Sequence, residues 1–171
     1  MIHYSLKLNP DLDPQIALLI ATMQDGTREW QEELTDCPDE FVSWRLYPGG
    51  HCAGGLIMHM ASCERGWIDR YLLGQERDNE EDAGAYTLKL DVDNGDWPEP
   101  PAKPLSWYLE LYARHRARTI QLLVGQDPNQ VVAKDPRADH TLAWIVGHLV
   151  QHDSYHGGQI VMLQEAWKRM R

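Results

Sequence analysis

Three histidines have the residue type and spacing needed to hold a metal ion. His152 and His156 lie four residues apart, in a segment where Ile145 and Leu149 belong to an apolar stripe of three- and four-residue steps. Residues four apart stack on one face of a helix, so the two imidazoles can reach a common point. His59 lies on the apolar side of another predicted helix and can face them across a bundle core. The spacing therefore predicts a three-histidine site for one divalent ion.

A site built from three imidazoles leaves a coordination position open, which is typical of catalytic rather than structural zinc centres. Imidazole ligands suit zinc, nickel, iron, copper or cobalt, and we expect zinc as the commonest choice. The alternative for each histidine is a core residue whose ring nitrogens bond within the protein. The sequence has no Cys-x-x-Cys pair, which excludes a zinc site of that thiolate type.

Four residues near these histidines have roles that the sequence leaves open. His148 departs from the apolar stripe, so it either lines a pocket behind the ligands or is a flank histidine. Cys63 could be an extra soft ligand, although a cysteine in an apolar stripe is more often a small core residue, which we favour. Glu64 and Asp153 could accept a hydrogen bond from an imidazole or act as a base, or could be solvated charges on a helix face.

Further features of the sequence concern the surroundings of the site. The remaining four histidines precede a predicted helix or lie near polar sequence, and we expect them at the surface: His3, His51, His115 and His140. Gly157 and Gly158 interrupt the last apolar stripe. Because glycine costs about 1 kcal/mol relative to alanine inside a helix, the pair indicates either close backbone approach or room beside the site, or a break that leaves residues 159–171 as a short separate helix.

Four predicted helices would position these residues. Apolar residues at helical spacing indicate helices over residues 14–34, 53–73 and 104–124. A fourth helix follows a cap at Asp139 or Thr141 and carries the chemistry. Four amphipathic helices with little strand pattern favour an all-α four-helix bundle.

Two irregular stretches connect the predicted helices. Residues 37–50 form an aromatic loop with Pro and Gly, which we expect to be ordered. Residues 75–104 form a long connection that suits a crossover over the bundle, with 87–90 its only alternating piece. A chain of 171 residues fits one domain, so we expect a single domain over residues 1–171.

Composition limits the partners. The net charge of −10 opposes the attraction that a phosphate backbone requires, so we expect no nucleic acid. No apolar run approaches the roughly 18 residues of a membrane span, and no signal sequence precedes the first helix, so we expect a cytoplasmic protein that does not bind membranes. Three cysteines are too few, and odd in number, for a disulfide framework, which agrees with a reducing compartment.

Two segments carry a resemblance to a known family. Residues 141–160 end in a His-x-x-x-His-x-Gly-Gln-Ile run, and residues 56–68 surround His59. They resemble the last helix and the first histidine segment of the DinB-like metalloprotein superfamily, which includes bacillithiol and mycothiol S-transferases. The similarity spans nearly the whole chain. Two positions depart from it, because the family often has Glu where Asp153 stands and Arg where Gly157 stands.

The resemblance implies an up-down-down-up four-helix bundle with a long crossover, and a metal triad at His59, His152 and His156. It further implies a transferase in which the ion activates a low-molecular-weight thiol for attack on an electrophilic small molecule, and a homodimer. Two alternatives remain open. One is a metal-dependent hydrolase, because zinc can also activate water, and the other is a non-catalytic metal-binding dimer.

Overall fold

A computed structural model describes residues 5–75, 99–135 and 138–171 of the chain. The described residues form four α-helices: α1 (Pro14–Glu32), α2 (Ala53–Trp67), α3 (Leu105–Leu123) and α4 (Leu142–Arg169). A short antiparallel hairpin, β1 (Val131–Asp135) and β2 (Ala138–Thr141), precedes α4. The expected all-α four-helix bundle is confirmed. The alternating piece at 87–90 lies outside the described residues.

Side chains from neighbouring segments cap two of the helices. The Thr141 hydroxyl accepts a hydrogen bond from the backbone N–H of Trp144 at 3.2 Å, so Thr141 is the cap of α4, while Asp139 lies in β2. Asp39, in a 3₁₀ turn of the aromatic loop, accepts a hydrogen bond from the backbone N–H of Leu105 at 3.0 Å. Both contacts satisfy backbone donors that a helix start leaves without an internal partner.

The predicted second helix has the expected extent, but its last turn is wider than an α-helix. α2 continues into a π-helical turn, Ile68–Leu72. Gly74 follows with a φ of 64°, and Gly125 follows α3 with a φ of 72°. Only glycine adopts this backbone conformation without strain, which explains why both helices end where glycine occurs.

The hairpin is a small addition to the predicted helices, and the sequence analysis did not identify it. It pairs Val131 with Thr141 and Asp135 with Ala138. Its strands contain only five and four residues, and an irregularity in the register follows Val131. A strand this short gives too few alternations for the pattern to be separated from a loop.

Contacts between helices establish the up-down-down-up order. α1 is parallel to α4, because residue 27 contacts residue 153 and, further along both helices, residue 33 contacts residue 164. α2 is parallel to α3 for the same reason, since residue 54 contacts residue 108 and residue 64 contacts residue 116. α2 and α4 are antiparallel, because residue 59 contacts residue 156 whereas residue 67, further along α2, contacts the earlier residue 144. In the described part of the chain, no helix has both the length and the apolar character needed to cross a membrane.

Two apolar clusters fill the two ends of the bundle. One includes Phe41, Leu56 and Trp167, and the other includes Ile16 and Val146. Between the clusters lie several inward polar side chains, and we call four of them, one from each helix, the polar layer: Thr27 from α1, Glu64 from α2, Arg116 from α3 and Asp153 from α4. The candidate metal ligands lie at the same level of the bundle.

Candidate metal centre

The three predicted histidines meet between α2 and α4. The ring centroid of His59 lies 4.8 Å from the centroid of His152 and 4.8 Å from that of His156. The centroids of His152 and His156 are 4.4 Å apart. The Nε2 atoms of His59 and His152 are separated by 3.0 Å. Two nitrogen donors on a tetrahedral zinc ion lie about 3.3 Å apart, given Zn–N bonds of about 2.0–2.1 Å. The structure therefore holds these two nitrogens at a separation that suits one ion.

Cys63 lies beside the same histidines. Its Sγ is 3.5 Å from Nδ1 and 3.8 Å from Nε2 of His59. One donor atom each from His59, Cys63 and His152 fall within 4.8 Å of one another. Cys63 is half-buried and belongs to neither apolar cluster, and the three cysteines form no disulfide bond. The structure thus places Cys63 at the site and not in the core position favoured from the sequence.

Burial favours the neutral, metal-binding form of the α4 imidazoles. Burial, followed by the neighbouring His156 and His148, lowers the pKa of His152 from 6.5 to about 4. Burial also lowers the pKa of His156, against the opposing effects of Gln159 and Asp153. His156 donates from Nδ1 to Oε1 of Gln159 at 2.7 Å, which leaves its Nε2 with a lone pair. Since only neutral imidazole binds a metal ion, both histidines are ready to do so at neutral pH.

A buried hydrogen-bond network lies next to the donor residues. Arg116 donates from Nε to both carboxylate oxygens of Glu64 at 3.0 and 3.1 Å, and from Nη2 to the Tyr112 hydroxyl at 2.6 Å. The Tyr112 hydroxyl donates to Oδ1 of Asp153, and the Thr27 hydroxyl lies 3.1 Å from the same oxygen. The network joins all four helices, and its two acids directly follow two of the candidate ligands in the chain.

The charges in this network fix its protonation. Burial alone would lower the pKa of Arg116, but the adjacent Glu64, Tyr112 and Asp153 raise it above the ordinary value. Burial raises the pKa of Tyr112 well above its ordinary value, so its hydroxyl stays a donor at neutral pH. Buried polar groups that are fully paired specify one arrangement of the elements that carry them. The network therefore holds the ligand-bearing turns of α2 and α4 in register.

A row of rings runs along α4 from the donors towards solvent. The centroids of His152 and His148 are 6.1 Å apart, those of His148 and Trp144 are 5.3 Å apart, and those of Trp144 and His140 are 4.3 Å apart. Trp67 of α2 packs against His148 at 5.1 Å. Trp144 is 47% exposed. We call His140, Trp144, His148 and Trp67 the ring row. Within it, His148 lies next to the candidate ligand His152.

Comparison with known proteins identifies the family. The family described as Mycothiol-S-transferase matches residues 18–168. This stretch covers most of the chain and contains every candidate ligand. The chain belongs to the mycothiol S-transferase family. No curated protein matches the sequence.

In this member of the mycothiol S-transferase family, the two acids have a different setting from either sequence-based alternative. Glu64 and Asp153 are each 2% exposed, so neither is a solvated helix-face charge. Their hydrogen bonds in the described structure go to Arg116, Tyr112 and Thr27 and not to an imidazole. Both acids therefore anchor the turns of α2 and α4 that carry the candidate ligands.

Of the four histidines expected at the surface, the three that the structure describes are buried or half-buried. His115 is only 9% exposed, so its surface assignment is wrong. His51 is half-buried, and burial together with nearby His156 and Arg45 lowers its pKa. His140 is half-buried in the ring row, and His3 lies outside the described residues.

The glycine pair lies inside an unbroken helix. α4 runs through Gly157 and Gly158, so the alternative of a helix break is wrong. A Cβ on Gly157 would lie 2.4 Å from Cδ1 of Trp30, whereas a Cβ on Gly158 would meet nothing within 4 Å. Close backbone approach is confirmed at Gly157, where α1 packs on α4 directly after His156.

Sequence reasoning missed the partners of the buried acids. It did not single out Thr27 or Arg116, and it treated Tyr112 only as part of an apolar stripe. The sequence does contain a sign of these partners. Arg116 lies on the same apolar stripe of α3 as Tyr112 and Leu123, and a charged side chain on an inward face needs a buried partner.

Proposed function

We propose that this protein is a metal-dependent thiol S-transferase whose ion is held by His59, His152 and His156. The observation that carries the proposal is the meeting of three imidazoles at ring-centroid distances of 4.4–4.8 Å. This donor set fits a divalent ion of intermediate softness, and zinc is the ion we propose. Membership of the mycothiol S-transferase family supports a low-molecular-weight thiol as nucleophile, and mycothiol is the first thiol to test.

A bound ion would supply one property, the stabilisation of a substrate thiolate, which lowers the pKa of that thiol. The thiol then loses its proton, its sulfur forms a bond to an electrophilic carbon, and the leaving group departs with the electron pair of the broken bond. This chemistry needs no nucleophile from the protein. The polar layer keeps the ligand-bearing turns fixed, and the ring row offers a flat, partly exposed surface for the apolar part of a substrate.

The buried acids are not proposed as general bases. Glu64 is paired with Arg116, and Asp153 accepts from Tyr112, and both carboxylates are almost fully enclosed. A base must come within hydrogen-bond reach of the proton that it removes. Neither acid is therefore placed to take the thiol proton.

Metal content and turnover measured on the same preparations test the proposal. The variants are His59→Ala, His152→Ala and His156→Ala. His140→Ala is the matched control for metal content, because it removes an imidazole outside the donor group. Its turnover is not compared, because His140 belongs to the proposed substrate surface. Elemental analysis should give one ion per chain for the wild type and the control, and little metal for the His59 and His152 variants. Turnover of thiol with a model electrophile should fall by more than about 100-fold in all three, since even residues behind metal ligands change affinity or activity by 10–100-fold.

The same experiment can contradict the proposal. Equal turnover in wild type and His156→Ala would remove that residue from the ligand set, and a wild type that takes up no metal on reconstitution would end the metal proposal. Hydrolysis of ester or amide substrates without added thiol would favour the hydrolase alternative. Bound metal with no turnover of any substrate class would favour the non-catalytic dimer.

The homodimer, the cytoplasmic location and the single domain over residues 1–171 remain predictions of this proposal. Light scattering on the purified protein measures the mass in solution. A homodimer should have twice the 19.7 kDa mass of the chain.

A further inference from the structure

We infer that Cys63 is a fourth metal ligand, so that the resting protein holds its ion with three imidazoles and one thiolate. The inference rests on the proposed function for the existence of the metal centre. It goes beyond that function, because a three-histidine triad leaves open the position that a cysteine sulfur would fill. A three-histidine site and a site of three histidines and one cysteine differ in whether a protein sulfur atom is bound to the ion.

The arrangement of the helices supports two facing pairs of donors. His59 and Cys63 are four residues apart on α2, and His152 and His156 are four residues apart on α4. Residues at this spacing share one helix face. The two helices are antiparallel, and the His59 ring contacts the rings of both His152 and His156. One donor atom each from Cys63, His59 and His152 fall within 4.8 Å of one another, so the cysteine faces His152 across the two helices.

The distances agree with shared ligation. On a tetrahedral zinc ion a nitrogen and a sulfur donor lie about 3.5 Å apart, given bonds of about 2.0–2.1 and 2.3 Å. The Sγ of Cys63 lies 3.8 Å from the His59 Nε2 that also faces His152. For this nitrogen–sulfur pair, a shift of a few tenths of an ångström separates the observed distance from the distance expected on one ion.

The other cysteines have surroundings that Cys63 does not share. Cys52 is fully buried, and burial raises the pKa of its thiol. Cys37 packs against the apolar cluster that contains Phe41 and Trp167. Of the three cysteines, all of which lie in the described residues, Cys63 is the one grouped with two imidazoles. The competing explanation is a hydrogen bond between the Cys63 thiol and Nδ1 of His59, at 3.5 Å, that only orients the ring.

A cysteine ligand changes how substrate enters. A thiol substrate would take the position of the Cys63 sulfur and pass its proton to that sulfur, so one metal–sulfur bond forms as another breaks. Charge and oxidation state balance, and no further reactant is needed. Cys63 would then close the site in the absence of substrate and leave it when a thiol arrives.

X-ray absorption on the zinc-loaded, full-length wild type tests the inference without a variant. The protein is prepared with a phosphine reductant, so that no added thiol can bind. One sulfur neighbour at about 2.3 Å is expected beside the nitrogen neighbours. Nitrogen and oxygen neighbours alone, with one zinc ion per chain, would overturn the inference and leave the proposed function intact.

Cobalt substitution assigns the sulfur to its residue. Cobalt-loaded wild type should show a sulfur-to-cobalt charge-transfer band in the near ultraviolet, and Cys63→Ser should lose the band while it still binds cobalt. Cys37→Ser is the matched control and should keep it. A band that persists in Cys63→Ser overturns the assignment. Failure of the wild type to bind either metal overturns this inference together with the proposed metal centre, whereas a sulfur ligand without thiol turnover overturns only the transferase function.

Discussion

Two adjacent glycines of α4 have opposite surroundings, and this difference gives a prediction at the scale of single residues. Gly157→Ala should destabilise the protein by about 1–3 kcal/mol, because the new Cβ would overlap the Trp30 indole and force α1 away from α4. Gly158→Ala should stabilise it by up to about 1 kcal/mol, because alanine favours the helix and the added methyl meets open space. Urea unfolding measures both free energies. Equal stabilisation in the two variants would show that the indole does not need the space at Gly157.

Other single residues show what could be predicted from the sequence. The histidine pair on α4 and His59 were found because their spacing follows the helical repeat, and the structure brings their rings together. A ligand role for Cys63 was considered, but a core position was favoured, because an apolar stripe does not distinguish a core cysteine from one that faces a cluster of imidazoles. That distinction depends on what the opposite helix presents.

At the scale of helices, the Arg116–Glu64 pair predicts how strongly α3 and α2 depend on each other. Arg116→Met should cost about 3–5 kcal/mol, because it leaves the Glu64 carboxylate buried without its partner. Arg116→Met combined with Glu64→Gln should cost less than Arg116→Met alone, since the stranded charge is removed as well. Urea unfolding of the single and double variants measures the difference.

Arg118→Met is the control for this prediction. Arg118 is on the same helix but is 38% exposed, and its partner Asp69 is also paired with Arg65 at 2.9 Å. Loss of Arg118 should therefore cost no more than about 1 kcal/mol, as for a surface ion pair. Similar losses for Arg116→Met and Arg118→Met would mean that the polar layer contributes no more than an exposed contact.

The elements themselves differed in how well the sequence predicted them. All four helices were predicted, because each carries several turns of apolar residues at helical spacing and has a cap or a glycine at an end. The hairpin was missed, since its strands are shorter than the pattern needed to recognise them. The wider last turn of α2 has no signal in the sequence that we can identify.

In the whole molecule, a polar layer separates two apolar clusters. This arrangement could not be predicted from the sequence. Thr27, Glu64, Arg116 and Asp153 each lie on a different helix, and their pairing depends on how every helix is rotated and shifted relative to the others. A sequence pattern defines the inward face of one helix but not its register against its neighbours. The predicted metal ligands lie at the level of this layer, where all four helices meet.

With the proposed ion at this position, the stability of the whole bundle should depend on metal binding. An ion that binds only the folded chain adds about 4 kcal/mol when its free concentration is 1,000 times its dissociation constant. For a chain of 171 residues, that gain corresponds to a rise in Tm of about 8–16 °C, at about 2–4 °C per kcal/mol. Differential scanning calorimetry with and without a chelator measures the shift. Chelation should lower the Tm of the wild type and of His140→Ala by this amount, and it should leave the Tm of His152→Ala unchanged. If chelation removes the metal from the wild type and leaves its Tm unchanged, the ion does not bind at the junction of the helices, and the histidines there are core residues.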